Sequence, residues 1–259
     1  MKERILRLLN LKPSESPRVL DLLTVQFFIG IANAFINVLA FTLFIKIVDV
    51  HEIPQAYLVV AVVLLLINFL YEKLEHRFSP ILLLKIVIIF YAAMLLLFWL
   101  GLLKGVGHDI VFILVVWSIV IYMLTGYAFW GLASLLFNIR ESKRVFAVVG
   151  SGDIPAKLIG YIAAHFLIPV VGEENIIWFS VASLATAYIL FNRAVGRKRW
   201  EATHQHHGHS QHHQPEVSQV KAKDLISFFF KKELIFAISL LSLISYNVFN
   251  LIDYTFLAE

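Results

Sequence analysis

Charge is scarce in this sequence: Asp, Glu, Lys and Arg make up 15% of its 259 residues, against 59% hydrophobic residues and a mean hydropathy of +0.79. A soluble domain of this length cannot bury so much apolar surface, so the chain reads as an integral membrane protein. Cysteine is absent, which excludes disulfides and thiolate metal sites and leaves the compartment open. There is no exposed nucleophile beside a base and no acid pair in a soluble domain. The pattern therefore gives no support to an enzyme, and neither a cofactor nor a nucleic-acid partner is expected. The glycine-bearing stretch GSGDIPAKLIG, Gly150 to Gly160, fits neither of the two soluble motifs it invites. A P-loop needs Gly-Lys-Ser/Thr at its end, and a dinucleotide fingerprint needs a glycine where Pro155 stands.

Spanning helices need about 20 mostly apolar residues. Seven runs meet that length: Leu22 to Ile45, Ile53 to Tyr71, Pro80 to Leu103, Ile110 to Phe137, Phe146 to Val171, Asn175 to Phe191 and Glu233 to Leu257. Basic residues alternate between the connections. Lys2, Arg4, Arg7, Lys12 and Arg18 precede the first run; Lys73 and Arg77, then Arg140, Lys143 and Arg144, then eight more between Arg193 and Lys232 fill every second connection. The intervening ones hold only Lys46 and Lys104. Cytoplasmic loops accumulate Lys and Arg, so the N-terminus is expected to be cytoplasmic, in an inner or plasma membrane. Ile5, Leu6, Leu8, Leu9 and Leu11 among basic residues predict a short interfacial helix at anionic lipid rather than a cleaved signal.

The seventh run shows a faint echo of the first. At an offset of 213, FINVLAFTLF (Phe35 to Phe44) meets VFNLIDYTFL (Val248 to Leu257), placing Asn37 on Asn250, Thr42 on Thr255 and Phe41 on Tyr254. Pairing helix one with helix seven across a long basic loop is the layout of two six-helix halves related as parallel repeats. The expected domains are an amphipathic segment at 1–18, a six-helix half at 19–193, a linker at 194–232 and the first helix of a second half at 233–259. The remainder of that half is expected further along the same chain or in a partner.

The linker contains HQHHGHSQHH, with His204, His206, His207, His209, His212 and His213. Neutral imidazoles at this density bind zinc, incidentally or as a regulatory device. Metal transport would need ligands inside the membrane. There His165 is the only histidine well within a run, with no Asp one turn away.

The stretch from Gly150 to Gly160 falls inside the fifth run. At about 1.5 Å per residue Asp153 lies about two turns in and Lys157 about three, close to mid-membrane. A charge there costs about 2.5 to 3.5 kcal/mol on insertion scales, so a partner or a watery cavity is expected. Spaced four apart with the acid first, the two can pair on one helix face. Gly150, Gly152 and Gly160 permit close helix packing, and Pro155 frees a carbonyl. The pair either locks this helix in its bundle or presents Lys157 to a solute. Lys85 sits near enough to the cytoplasmic face to snorkel.

FWGLASLLFNIRESKRVFAVVGSGD, Phe129 to Asp153, resembles a segment of the ATP/ADP translocase family, the nucleotide transporters of plastids and intracellular bacteria. In that family Phe-Trp-Gly-Phe-Ala-Asn precedes Glu-Ala-Lys-Arg-Phe-Tyr and then Gly-x-Gly-Ala-Asn. Phe129, Trp130, Gly131 and Ala133 match the first part, Glu141, Lys143, Arg144 and Phe146 the second, and Gly150 and Gly152 the third. Leu132, Ser142, Asp153 and Ile154 depart from the pattern, which covers about a tenth of the chain. The resemblance implies a major-facilitator-type secondary carrier, all-α, exchanging nucleotides or related organic anions by alternating access. Moving such an anion calls for cations and amides lining a cavity. Lys157, backed by Lys85, would meet phosphate. Gln26, Asn33 and Asn37 on helix one would hold a base or ribose, with Asn247, Asn250 and Asp253 on helix seven as the facing wall. Each amide is equally an interhelical hydrogen-bonding group. Two other expectations stay open: a facilitator of another solute driven by protons through Asp153 or Asp253, and a non-transporting membrane sensor built on the histidine loop.

Overall fold

The computed structural model describes residues 16–48 and 50–196, with five helical positions beyond them, Ala237, Leu240, Leu241, Ile244 and Val248. The chain forms two compact units, Met1–Glu201 and Ala202–Glu259. In the first unit the described residues are helical: α1 Ser16–Ile47, α2 Ile53–Arg77, α3 Pro80–Lys104, α4 His108–Leu136, α5 Ile139–Gly150, α6 Asp153–Val171 and α7 Ile177–Val195. Short 3-10 turns at Val50–Glu52 and Glu174–Ile176 join α1 to α2 and α6 to α7. The expected interfacial helix, most of the seventh run and the whole histidine tract lie outside the described residues.

Among the described residues six stretches are long and apolar enough to cross a membrane, the fifth of them running through α5 and α6 as Arg144–Val171. Local chemistry sets their ends. Ser79 begins α3, its hydroxyl accepting the Leu82 N–H at 3.4 Å, and Pro80 follows where no N–H is needed. Gly105 ends α3 with φ 142° and Gly172 ends α6 with φ 87°, backbone states that only glycine adopts without strain. Asn138 starts α5, and the Glu141 carboxylate reaches back to accept the Asn138 N–H at 3.2 Å, one arm of a capping box.

The fifth span differs from its sequence expectation, which was one continuous helix from Phe146. The helix begins earlier, at Ile139, and is divided by a turn at Ser151 and Gly152. Pro155 explains the division. It has no N–H to offer the Ser151 carbonyl four residues back, so the ladder lapses there and restarts at Asp153.

α1 is the centre of the unit, packing against α4, α5, α6 and α7, while α3 packs on α4 and α7 and α2 rests on α4. Lipid-like surroundings provide no hydrophobic force between apolar helices, so close approach and polar contacts must hold them. Both are present. A β-carbon built on Gly160 would lie 2.5 Å from the Ala34 methyl, and one on Gly30 would lie 2.8 Å from that of Ala156. Thus Gly30 and Ala34 of α1 meet Ala156 and Gly160 of α6, two small-residue pairs each spaced by four. On the other side, the Ser180 and Ser183 hydroxyls of α7 donate to the α1 carbonyls of Ala32 at 3.2 Å and Phe28 at 2.7 Å.

Substituting Gly160→Ala therefore overpacks a contact whose opposing atom is a methyl fixed to backbone, and should cost about 1 to 3 kcal/mol. Gly126→Ala, where an added carbon meets nothing within 4 Å, should be neutral or gain up to about 1 kcal/mol of helix propensity. Thermal unfolding of the two variants in detergent checks the contrast.

Candidate functional site

α1 offers Gln26, Ile29 and Asn33 at helical spacing, and α4 offers Tyr122, Gly126 and Trp130 at i, i+4 and i+8. These two faces and the break in the fifth span enclose a cavity of about 330 Å³, to which Thr125, Tyr127, Gly150 and Asp153 also contribute. Asn33 and Tyr122 stand near the midpoints of α1 and α4, so the cavity lies at mid-length of these spans, open on the side of the exposed Tyr122 and Tyr127. The missing side chain at Gly126 opens it: an added carbon there touches nothing within 4 Å.

Among the described residues one carboxylate lines this space, and the cation at its wall is Lys157. Asp153 Oδ2 accepts a hydrogen bond from Lys157 Nζ at 2.8 Å, whereas its buried Oδ1 has no hydrogen-bond partner. Lys157 Nζ also donates to the Tyr122 hydroxyl at 3.1 Å and lies 4.3 Å from the Tyr122 ring centroid. An ammonium so placed is held by a charge, a hydroxyl and a π-face together. Asn33 is buried and accepts a hydrogen bond from the fully buried Tyr91 hydroxyl at 3.0 Å. The Thr125 hydroxyl donates within its own helix, 2.8 Å from the Ile121 carbonyl.

Of the residues that the sequence singled out, Gln26, Asn33 and Asp153 meet at this cavity and Lys157 stands at its wall. Two do not reach it. Asn37, one turn beyond Asn33, is exposed past the end of the cavity, because a further turn carries it about 6 Å along the axis. Lys85 is half-exposed on α3, which packs behind α4 and α7. Asn247, Asn250 and Asp253 lie outside the described residues, as do the six histidines; among the described residues no cluster of three or more His, Asp or Glu side chains could hold a metal.

Sequence reasoning missed Tyr122, Thr125 and Tyr127 as lining residues, and read Trp130 only as part of a motif. The motif has a local structural basis. The Trp130 ring sits edge-on to Phe129 and to Phe146, each at 5.5 Å, and a carbon added at Gly150 would lie 3.4 Å from it. Gly150 thus lets the tryptophan fill the angle between α4 and α5. A second, wider opening of about 580 Å³ lies at the far ends of the spans, beside the Lys46–Glu173 ion pair. At that same end His108 Nε2 stands 3.1 Å from both Glu52 carboxylate oxygens.

Comparison with family models, with curated proteins and with solved structures finds no match to the chain. What the fold and the site define, among the described residues, is an all-helical protein with six apolar spans and a polar, aromatic cavity among them.

The Tyr91–Asn33 bond is the support of the α1 wall. Tyr91→Phe removes the phenolic hydroxyl and leaves the buried amide oxygen without its donor, which should cost about 0.6 to 1.7 kcal/mol, from the mean to the upper end for an intramembrane hydrogen bond. Denaturation of the detergent-solubilised variant measures it.

Proposed function

We propose that the chain is the solute-binding part of a secondary membrane transporter, with the cavity between α1, α4 and the broken fifth span as its binding site. One observation carries this reading: amides, aromatic rings and a carboxylate from three different spans converge at mid-depth on a single space. Ionisable groups inside membrane helices mark solute or ion paths far more often than passive structure. Broken helices likewise recur where carriers hold their solutes. Alternating access needs a second body against which this bundle can rock. On this reading the six spans are the first half of a major-facilitator-type carrier, and a second half in the same polypeptide or a partner covers part of the exposed apolar faces of α2 and α6, where Leu58, Leu65, Phe166 and Val170 stand outward. The basic ends, with Arg77, Arg144 and Arg193, face the cytoplasm.

ATP/ADP-type exchange, which the resemblance at Phe129 to Asp153 implies, makes one demand on this site. Lys157 must leave Asp153 to meet phosphate, since no other Lys or Arg lines the cavity among the described residues.

The test is counterflow into proteoliposomes carrying the full-length gene product, with labelled ATP against internal ADP and then labelled small amines and carboxylates in turn. Uptake that needs a counter-solute and vanishes in Gly126→Leu, which fills the cavity without touching a charge, is the expected result. Flux that survives this plug, or no flux of any solute from folded protein, would remove the cavity from the account.

A further inference from the structure

We propose that the cavity takes an organic cation, an ammonium group on a planar or aromatic body, and that Lys157 occupies the ammonium position when no solute is bound. This rests on the reading of the cavity as a solute site and adds the class of solute. Four features of the site carry it.

The first is the sign of the lining. Among the described residues Asp153 is the one carboxylate there, and the one cation beside it is Lys157 at the wall. A cationic solute can take the place of Lys157 on that carboxylate, whereas a polyphosphate could pair only with the ammonium and would leave the carboxylate facing it. The second is the state of that carboxylate. Its Oδ1 is buried against Gly30 of α1 without a hydrogen-bond partner, so the charge depends on the donor at Oδ2, where Lys157 sits at 2.8 Å and where another ammonium would serve equally.

The third is the position of Lys157 itself. A carboxylate at 2.8 Å, a hydroxyl at 3.1 Å and a ring centroid at 4.3 Å are the contacts by which proteins recognise ammonium ligands, the ring lying within the roughly 6 Å over which cation–π attraction acts. The lysine is a tethered copy of such a ligand. The fourth is the remaining wall. Tyr127 and Trp130 add aromatic surface, and the Gln26 amide adds a polar group beside them. At about 330 Å³ the space falls at the small end of ligand cavities.

Exchange of one ammonium for another also solves an electrostatic problem. If the solute displaces Lys157 as it binds Asp153, the carboxylate is never left uncompensated. The Lys157 side chain is 28% exposed, which gives the displaced ammonium a way toward polar surroundings along its flexible stem.

The experiment is equilibrium binding of phenethylammonium and, separately, of ADP to the purified full-length protein in detergent, with folding verified by gel filtration and circular dichroism. Lys157→Met keeps the stem's volume and removes the internal competitor. If the lysine holds the site about nine-tenths of the time, its removal tightens phenethylammonium binding about tenfold. Adding Asp153→Asn to that variant abolishes the binding and leaves the fold without an unpaired charge. The opposite sign overturns the inference: ADP bound by the native protein and lost in Lys157→Met, with no affinity for the amine, makes Lys157 an anion ligand and leaves the carrier reading standing. Absence of binding by either probe overturns it as well. Amine binding that follows the predicted order without any flux in proteoliposomes supports the cation site and removes the carrier reading alone.

Discussion

The cavity exists because α1 and α6 come closer than two ordinary helices can. Gly30 and Gly160 have no room for a β-carbon, and Ala34 and Ala156 face them across the contact. In hydrocarbon no water is released by bringing apolar helices together, so small residues that allow near-backbone approach supply the association. That approach places the start of α6 against the middle of α1. Asp153, the first residue of α6, is thereby held beside Gly30: a carbon added there would lie 3.0 Å from its Oδ1. The carboxylate is set against α1, at the cavity that Gln26 and Asn33 also line.

The break in the fifth span follows from a second constraint. Pro155 cannot continue the hydrogen-bond ladder, and Ser151 with Gly152 absorbs the interruption. The consequence is an acid at a helix start, where the backbone dipole favours negative charge. Lys157, one turn on, then reaches both Asp153 and Tyr122 of α4. The small-residue contact, the proline and the ion pair therefore act in one sequence of causes, each fixing where the next can be. Trp130 and Gly150 complete it by setting the angle of α5 against α4.

Much of this was legible in the amino-acid order, and the limits of legibility have physical reasons. The six spans follow from hydropathy, which depends on composition over about 20 residues and not on packing. The pairing of Asp153 with Lys157 follows from spacing alone. The convergence of Gln26 and Asn33 on one face follows from their seven-residue separation, whereas Asn37, on the same face, runs past the cavity because spacing gives direction but not depth. Tyr122, Thr125 and Tyr127 could not be singled out, since α4 is apolar nearly all round and such a helix shows no favoured face to a periodicity argument. The division of the fifth helix was half visible: the freed carbonyl was evident at Pro155, but not that the helix would begin again at Asp153 or start as early as Ile139.

The central claim is that Asp153 and Lys157 act as one pair at the wall of this cavity. A double-mutant cycle measures it most directly, comparing the unfolding free energies of Asp153→Asn, Lys157→Met and the double variant in detergent. The account predicts that each single change destabilises by leaving a charge without its partner, and that the double variant recovers part of the loss, with a coupling of about 0.5 to 3 kcal/mol. Additive losses with no coupling would show that the two charges do not depend on each other, and would contradict the account.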